Sequence, residues 1–185
     1  NTSWLAEQFP QTLGDGSAFG LRLTYSYEGP TPLETGGGML HALPLLGDAP
    51  FLLVNGDIWT DFDFVRLSRA PAGLAQLVLV DQPSYAARAD FALDAAGKVH
   101  ADLPATLTYS GIGMYRPALL HNWQSIIDQL PAQTDTAPRF ALAPILRAQM
   151  AAGLVDGIHH DGRWTDVGTP QRLAELDAQL LREGG

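Results

Sequence analysis

Two aspartates of this sequence lie where a carboxylate could hold a cation. Asp57 closely follows the apolar run 51–54, which has the length and composition of a strand covered on both faces. Asp166 interrupts the run 164–167, which is otherwise aromatic and β-branched, and an acidic side chain is disfavoured inside a strand. Magnesium prefers oxygen ligands and usually takes only one or two carboxylates from a protein. The two aspartates could therefore bind one Mg²⁺ together, provided that the fold brings them together.

Each aspartate also has a purely structural interpretation. Asn55-Gly56 is a common hairpin-turn dipeptide, so Asp57 could be a solvated turn residue. Asp166 could accept a hydrogen bond from the turn that follows it. The sequence by itself leaves both alternatives open.

A glycine-rich segment, residues 32–38, precedes the short helix-like segment 39–46. Glycines Gly36, Gly37 and Gly38 would let a ligand approach backbone amides at a helix N-terminus, because glycine has no side chain to interfere. The segment matches neither the P-loop nor the dinucleotide-binding fingerprint. The alternative interpretation is a flexible turn.

Composition narrows the classes of function. The chain has 185 residues and a net charge of −9, and Lys98 is its only lysine. An acidic surface repels a polyanion, so we expect no nucleic-acid partner. The chain contains no cysteine, which excludes disulfides, thiolate catalysis and cysteine–zinc sites. No apolar run is long enough to span a membrane and no signal peptide is recognisable, so we expect a cytoplasmic protein without a membrane partner.

Histidine chemistry has little support in the sequence. No Gly-x-Ser-x-Gly elbow accompanies the histidines, which argues against a serine hydrolase. His159 and His160 are adjacent, so on a strand they point to opposite faces and cannot chelate one metal. We interpret them as ordinary surface or edge residues.

The elements that would position these residues alternate between strands and helices. Strands are predicted at 21–27, 51–54, 74–80 and 106–115, and helices at 61–68, from Pro117, at 142–152 and from Thr169. Two hairpins are predicted, one pairing 91–93 with 98–101 and one pairing 155–160 with 163–167 through Asp161-Gly162. The alternation predicts an α/β protein with a doubly wound, mostly parallel, Rossmann-like mixed sheet and a small antiparallel insertion. We expect one domain over residues 1–185.

Several segments, in this order, resemble those of the sugar-1-phosphate nucleotidyltransferase family. They are Pro32-Leu33-Glu34-Thr35-Gly36-Gly37-Gly38, Phe51-Leu52-Leu53-Val54-Asn55-Gly56-Asp57, Tyr109-Ser110-Gly111-Ile112 and Trp164-Thr165-Asp166-Val167-Gly168-Thr169. The resemblance covers nearly the whole chain. Segments 33–38 and 52–57 are most similar to the branch of the family that acts on N-acetylmuramate 1-phosphate.

The resemblance implies a role for each matching residue. Asp57 and Asp166 would hold a catalytic Mg²⁺. The nucleotide base would lie against Glu34, Thr35 and Gly36, chiefly through backbone groups. The sugar-phosphate side would be lined by Asn55, Ser110 and Gly111, together with Arg88 and Asp90 from the stretch 85–91. In that stretch Ala89 stands where the family leads us to expect glycine.

The reaction implied by the resemblance joins a nucleoside triphosphate to a sugar 1-phosphate. A sugar-phosphate oxygen attacks the α-phosphate, of UTP in the closest branch, and pyrophosphate leaves. Such transfers depend on positioning and charge neutralisation more than on covalent catalysis. A guanylyl- or thymidylyltransferase acting on a hexose 1-phosphate is the runner-up. A non-catalytic module that binds a sugar nucleotide is the alternative from another class.

Two segments typical of the family do not occur in this sequence. They are the loop Leu-x-x-Gly-x-Gly-x-Arg and the segment Pro-Lys-Pro, which supply positive charge to the phosphates. Because Asn1-Thr2-Ser3-Trp4 resembles the exit from the family's second strand, the resemblance implies a sheet that lacks its first βαβ unit. We therefore expect low activity, an exposed apolar sheet edge and self-association.

Overall fold

A computed structural model describes residues 1–127 and 137–184, which form two compact units. The first unit comprises residues 1–49 and 117–148, and the second comprises residues 50–116 and 149–185. The single domain expected over the whole chain stays a prediction. In the part of the chain that the structure describes, no helix is both long and apolar enough to cross a lipid bilayer.

The described helices and strands do not alternate strictly. The helices are α1 (Gln8–Leu13), α2 (Glu34–Leu46), α3 (Trp123–Ile126), α4 (Leu142–Ala151) and α5 (Pro170–Glu183). The strands are β1 (Phe51–Val54), β2 (Ile58–Thr60), β3 (Ala75–Asp81), β4 (Ala92–Leu93), β5 (Val99–His100), β6 (Leu107–Tyr115), β7 (Val155–His160) and β8 (Trp164–Asp166). Six strands follow one another between α2 and α3, with only the 3₁₀ turn Phe64–Arg66 among them.

The main sheet lies in the second unit and has the strand order β1-β6-β3-β7. Strand β6 runs antiparallel to both of its neighbours, whereas β3 and β7 are parallel. Three of the four strands therefore run in one direction, and the predicted mostly parallel, Rossmann-like mixed sheet is confirmed. The small antiparallel insertion is the pair β4–β5, close to where it was predicted.

Burial explains why the apolar runs become strands. In β3 the side chains of Leu77, Val78 and Leu79 are all fully buried, as expected for a strand that is covered on both faces. Val78 belongs to a core cluster with Phe62, Leu67 and Ile112. Strand β3 is thus the centre of the second unit.

Strand β1 is an edge strand of this sheet. Among the described residues it pairs only with β6, and its side chains Leu52 and Val54 are 42% and 43% exposed. Exposed apolar edge strands favour pairing with another chain. Self-association of this protein stays a prediction.

An irregularity in the pairing of β3 with β6 lies beside the sequence motif 109–112. Leu77 is paired with Gly113 and Leu79 with Tyr109, so one residue of β3 faces three residues of β6. Within this bulge Gly111 has a φ of +81°, a conformation that side chains other than glycine's rarely adopt. The hydroxyl of Ser110 donates to the backbone oxygen of Val78 at 2.8 Å and so fixes the bulge.

The predicted hairpin of 155–160 with 163–167 is wrong. Strand β7 instead extends the main sheet beside β3, and β8 forms a separate two-stranded antiparallel ribbon with β2. The Asp161-Gly162 turn therefore carries the chain from the sheet to the ribbon. The physical reason is that β7 gains six paired positions along the buried strand β3, which a local hairpin with the short β8 could not offer.

Two predicted elements in other places are also wrong. Residues 21–27 contain a single bridge, Thr2 to Tyr27, instead of a strand. Residues 61–68 contain one 3₁₀ turn, Phe64–Arg66, instead of a helix. The buried side chains Phe62 and Leu67 are five positions apart and do not share a helix face, while Val65 is 83% exposed.

The helix predicted from Pro117 is a 3₁₀ helix, Pro117–Leu120, followed by the short α3. Helix α4 is confirmed, and its apolar residues are buried: Leu142, Ile145, Leu146 and Met150. Helix α5 begins as predicted, with the Thr169 hydroxyl accepting a hydrogen bond from the backbone N–H of Arg172. In this helix the side chain of Leu176 is buried, whereas that of Leu173 is 48% exposed.

A tyrosine pair on β6, with Tyr115 fully buried and Tyr109 half-buried, predicts alkaline destabilisation. The hydroxyls of Tyr109 and Tyr115 are 2.7 Å apart, and burial raises the pKa of both phenols well above the ordinary value of 10.0. Above that value the unfolded chain loses protons that the folded chain keeps. Stability is therefore fully present below about pH 10 and lost as the pH rises through the range above it.

Urea unfolding at a series of pH values measures this effect. We expect the free energy of unfolding to fall by more than about 1 kcal/mol per pH unit above pH 10. The double variant Tyr109→Phe/Tyr115→Phe, which removes both hydroxyls and leaves neither unpaired, should lose much of this pH dependence. An unchanged slope in that variant would assign the effect to other groups.

Candidate functional site

The β2–β8 ribbon brings Asp57 and Asp166 to the same end of the second unit. Asp166 is paired with Ile58, the neighbour of Asp57, and the backbone N–H of Val167 donates to the backbone oxygen of Asp57 at 2.7 Å. The hairpin interpretation of Asn55-Gly56 is wrong, because β1 pairs with β6 and β2 pairs with β8. The segment 55–57 instead carries the chain from the sheet to the ribbon.

The two carboxylates converge above Gly168. A methyl group built on Gly168 would lie 2.8 Å from Asp166 Oδ1 and 2.9 Å from Asp57 Oδ2. The two oxygens therefore flank one point, which glycine leaves open and which Arg172 Nη2 borders at 3.4 Å. Oxygen atoms of two carboxylates around an open point form a donor set that suits Mg²⁺.

A closed protein cage for a metal is not found in residues 1–127 and 137–184. No group of three or more histidine, cysteine, aspartate or glutamate side chains in those ranges could hold an ion. Magnesium usually keeps several waters or phosphate oxygens among its ligands, so two carboxylates are enough to fit it. The residues present fit a Mg²⁺ ion that shares its remaining positions with a phosphorylated ligand.

The orientation of Asp166 is set by donors from the start of α5. Its Oδ1 accepts hydrogen bonds from the backbone N–H of Gly168 at 2.6 Å and from Arg172 Nη2 at 3.0 Å. Arg172 Nε also donates to the backbone oxygen of Asp166 at 2.8 Å. The hydrogen bond of the structural interpretation, from the turn that follows Asp166, is thus present on Oδ1. Among the described residues no donor reaches Oδ2.

Arg172 was missed by sequence reasoning. The Thr169-Pro170 cap places it in the first turn of α5, and helical side chains point back towards the N-terminus of their helix. That rule directs the guanidinium towards the segment that carries Asp166. The sequence predicted that a helix begins at Thr169, but this consequence for Arg172 was not predicted.

Asn55 and Gly111, predicted on the sugar-phosphate side, are in direct contact. The backbone N–H of Asn55 donates to the backbone oxygen of Gly111 at 2.9 Å. A methyl group on Gly111 would lie 2.8 Å from Asn55 Cγ, so glycine is required for this packing as well as for its positive φ. The two residues lie side by side where β1 ends and β6 bulges.

Ser110, the third residue predicted there, has a structural role. The residue is 1% exposed, and its hydroxyl donates to the Val78 oxygen and accepts from the N–H of Ile112. Its backbone oxygen accepts a hydrogen bond from Trp164 Nε1 at 2.9 Å, which fastens strand β8 to the bulge. A contact of the Ser110 hydroxyl with a sugar phosphate stays a prediction and would require it to leave the Val78 oxygen.

The loop between β3 and β4 carries Arg88 and Asp90, and both residues are exposed. Asp90 Oδ2 accepts a hydrogen bond from the backbone N–H of Tyr109, which ties the end of the loop to β6. Ala89, in place of the expected glycine, is 9% exposed, so its methyl group is packed inward. Contacts of Arg88 and Asp90 with a sugar stay predictions.

Glu34, Thr35 and Gly36 lie in the first unit, at the start of α2. The flexible-turn interpretation of Gly36, Gly37 and Gly38 is wrong, because α2 begins at Glu34 and contains all three glycines. A methyl group on Gly36 would lie 2.6 Å from the Phe140 ring, so this glycine lets the helix pack closely. Glu34 has a φ of +61°, which is uncommon for a residue other than glycine. The base-binding role of these residues stays a prediction.

The edge position predicted for His160 is confirmed, because β7 lies at one edge of the described sheet, but the predicted surface position is wrong. His160 is 6% exposed, and its Nε2 lies 2.9 Å from Asp61 Oδ1. Its ring meets the edge of Phe62 at a centroid distance of 5.3 Å. His159 points to the opposite face, as predicted, and lies 2.9 Å from Asp81. His160 therefore joins the end of β7 to the residues that follow β2.

Relatives of known name are similar to this chain over most of its length. The chain is 40% identical to N-acetylmuramate alpha-1-phosphate uridylyltransferase of Neisseria meningitidis, over 96% of this chain and 75% of that protein. It is 29% identical to the enzyme of the same name from Caulobacter vibrioides, over 97% and 76%. It is also 29% identical to mannose-1-phosphate guanylyltransferase of Mycobacterium tuberculosis, over 98% and 50%. No family model matches the chain.

Solved structures share the fold at low sequence identity. A Bacillus anthracis protein described as a glucose-1-phosphate thymidylyltransferase, in complex with sucrose, matches with a TM-score of 0.69 and 16% identity, over 94% of this chain and 71% of that one. HddC from Yersinia pseudotuberculosis, complexed with GMP-PN, matches with a TM-score of 0.66 and 14% identity, over 96% and 76%. Together with the identity to the Neisseria enzyme over most of its length, these findings show that the chain belongs to the sugar-1-phosphate nucleotidyltransferase family.

Proposed function

We propose that this protein transfers UMP from UTP to N-acetylmuramate 1-phosphate and releases pyrophosphate, with Mg²⁺ held by Asp57 and Asp166. The observation that carries the proposal is the convergence of the two carboxylates above Gly168. A scaffold without catalytic function has no need for two acidic side chains around an open point, because like charges that approach one another destabilise a fold. This argues against the alternative of a non-catalytic binding module.

The choice of base and sugar for the proposed substrates rests on the names of the relatives. Two of them carry the name N-acetylmuramate alpha-1-phosphate uridylyltransferase, and one of these is 40% identical to this chain. The mannose-1-phosphate guanylyltransferase of Mycobacterium tuberculosis is only 29% identical and is covered over half of its length. A guanylyl- or thymidylyltransferase acting on a hexose 1-phosphate is accordingly the second candidate.

In the proposed reaction an oxygen of the sugar phosphate forms a bond to the α-phosphorus of UTP. The bond from that phosphorus to the bridging oxygen breaks, and the electron pair leaves with pyrophosphate. A bound Mg²⁺ supplies positive charge to the phosphate oxygens. The side chains of Asp57 and Asp166 would hold that ion, and the donors on Asp166 Oδ1 keep its carboxylate in one orientation.

The remaining predicted residues would position the substrates. Asn55, beside Gly111 at the end of β1, offers a side-chain amide to the sugar phosphate, and exposed Arg88 offers a cation. Glu34, Thr35 and Gly36 at the start of α2 would contact the base. Positioning is a large part of catalysis for such a transfer, because the reacting oxygen must be in line with the leaving pyrophosphate.

A pyrophosphate-release assay tests the proposed substrates. The protein is incubated with Mg²⁺ and each combination of UTP, GTP or dTTP with N-acetylmuramate, mannose or glucose 1-phosphate. We expect UTP with N-acetylmuramate 1-phosphate to exceed every other pair by at least about tenfold in kcat/KM. Preference for GTP with mannose 1-phosphate would favour the second candidate. Binding of a sugar nucleotide without turnover of any pair would favour the non-catalytic module.

A role in peptidoglycan recycling follows from the proposed substrate, because N-acetylmuramate is a cell-wall sugar. Such a role would place the protein in the cytoplasm, where UTP is available. Both the role and the location stay predictions.

A further inference from the structure

We infer that Arg172 is a positioning residue that holds Asp166 in the orientation needed for binding a divalent cation. The inference rests on the proposed metal pair, Asp57 and Asp166. It assigns a task to a side chain that is not one of the two proposed metal ligands.

The guanidinium of Arg172 donates hydrogen bonds to Asp166 at two places. Nη2 donates to Asp166 Oδ1 at 3.0 Å and Nε donates to the backbone oxygen of the same residue at 2.8 Å. Because the guanidinium is planar and rigid, two bonds from adjacent nitrogens fix the carboxylate relative to its own backbone. The N–H of Gly168 adds a second bond to Oδ1, so rotation of the carboxylate would break two hydrogen bonds.

Arg172 is itself held from two directions. Its backbone N–H donates to the Thr169 hydroxyl, which fixes the first turn of α5. Its guanidinium carbon lies 4.9 Å from the centroid of the Tyr85 ring, within the range of a cation–π contact. Tyr85 belongs to the loop that carries Arg88 and Asp90, so this contact connects the predicted sugar-contacting loop to the metal pair.

Arg172 could affect cation affinity in two opposite ways, through the orientation of the Asp166 carboxylate or through its own positive charge. A positive guanidinium beside the site repels a divalent cation, so its removal would tighten binding if charge were the dominant effect. A carboxylate that is no longer held must be ordered when the cation binds, so removal would weaken binding if orientation were dominant. The bonds to two different oxygens of Asp166 favour the second effect, because a purely electrostatic role requires neither of them.

Mn²⁺ binding, followed by the electron paramagnetic resonance signal of the free ion, distinguishes the two effects. We expect Arg172→Met to weaken Mn²⁺ binding by about tenfold. Arg172→Lys should weaken it by a similar factor, because an ammonium group cannot span both oxygens. The Mg²⁺ concentration that gives half-maximal turnover should rise by the same factor. Binding in Arg172→Met that is unchanged or tighter, or full restoration by lysine, would overturn the inference.

Arg163 provides a matched control in the same unit. Its guanidinium lies 4.6 Å from the centroid of the Trp59 ring and pairs with Glu183 of α5 at 2.8 Å. Arg163→Met therefore removes the same charge, a similar stacking contact and another anchor of α5, without touching Asp166. We expect its Mn²⁺ affinity to equal that of the unchanged protein. A loss as large as in Arg172→Met would show that only the attachment of α5 matters.

Three further variants keep the result interpretable. Tyr85→Leu removes the aromatic face and leaves the helix intact, and we expect it to weaken Mn²⁺ binding by about threefold. If Arg172→Met does not fold, unchanged binding in Tyr85→Leu overturns the inference. Asp57→Asn and Asp166→Asn should abolish Mn²⁺ binding. If they do not, the metal pair itself is wrong, whereas if they do and Arg172→Met has no effect, only the positioning role is wrong.

Discussion

Asp57→Asn and Asp166→Asn are each expected to lower Mg²⁺-dependent turnover by at least about a thousandfold, because losing a charged metal ligand removes several kcal/mol of transition-state stabilisation. Both variants should fold. The side-chain oxygen of an asparagine at position 166 can still accept the hydrogen bond that Gly168 donates. Steady-state pyrophosphate release, with circular dichroism to confirm folding, measures the effect.

Asp161→Asn is the control for this pair. It makes the same isosteric change at an exposed position in the turn between β7 and β8, and turnover should stay within about twofold. If Asp57→Asn or Asp166→Asn kept turnover at the level of this control, that residue would be removed from the proposed metal site.

Gly168→Ala is expected to reduce cation affinity and turnover by about 10- to 100-fold while leaving the protein folded. The added methyl group would lie 2.8 Å from Asp166 Oδ1 and 2.9 Å from Asp57 Oδ2, closer than such atoms normally approach. At least one carboxylate must therefore move away from the point at which both converge. Mn²⁺ binding and turnover of the same preparation measure the loss.

Gly56→Ala is the matched control, since it adds the same methyl group beside Asp57. There the new atom would meet nothing within 4 Å, and the φ of Gly56 is not positive. We expect Mn²⁺ affinity within about twofold of the unchanged protein. An equal loss in both alanine variants would mean that flexibility of the segments, and not the space above Gly168, is what matters.

The sequence was sufficient to predict the fold where periodicity or a long apolar run marks an element. Helix α4 was predicted because Leu142, Ile145, Leu146 and Met150 recur at helical spacing, and all four are buried. Strand β3 was predicted because an apolar run of strand length needs no particular partner to be recognised. The segment 61–68 was not predicted correctly, because isolated apolar residues there are buried by a 3₁₀ turn and not by one face of a helix.

For the candidate site, the sequence indicated the acids but not how they meet. Asp57 and Asp166 are brought together by a ribbon with three residues in each strand, Ile58–Thr60 and Trp164–Asp166. Strands of this length show no periodicity, and their pairing joins positions about a hundred residues apart. The contact of Arg172 with Asp166 could have been inferred from the helix cap, whereas the burial of His160 depends on partners that no local pattern identifies.

The bulge between β3 and β6 also limits which insertions and deletions this region can accept. In the bulge, three residues of β6 lie opposite one residue of β3, so β6 has two extra residues. Because side chains alternate between the two faces with a period of two, an even number of extra residues leaves those on either side of the bulge on their original faces. Tyr109 and Tyr115 can meet for this reason. Loss of one residue from positions 110–112 would turn Tyr109 to the opposite face. Length variation among functional homologues in this segment should therefore occur in steps of two residues.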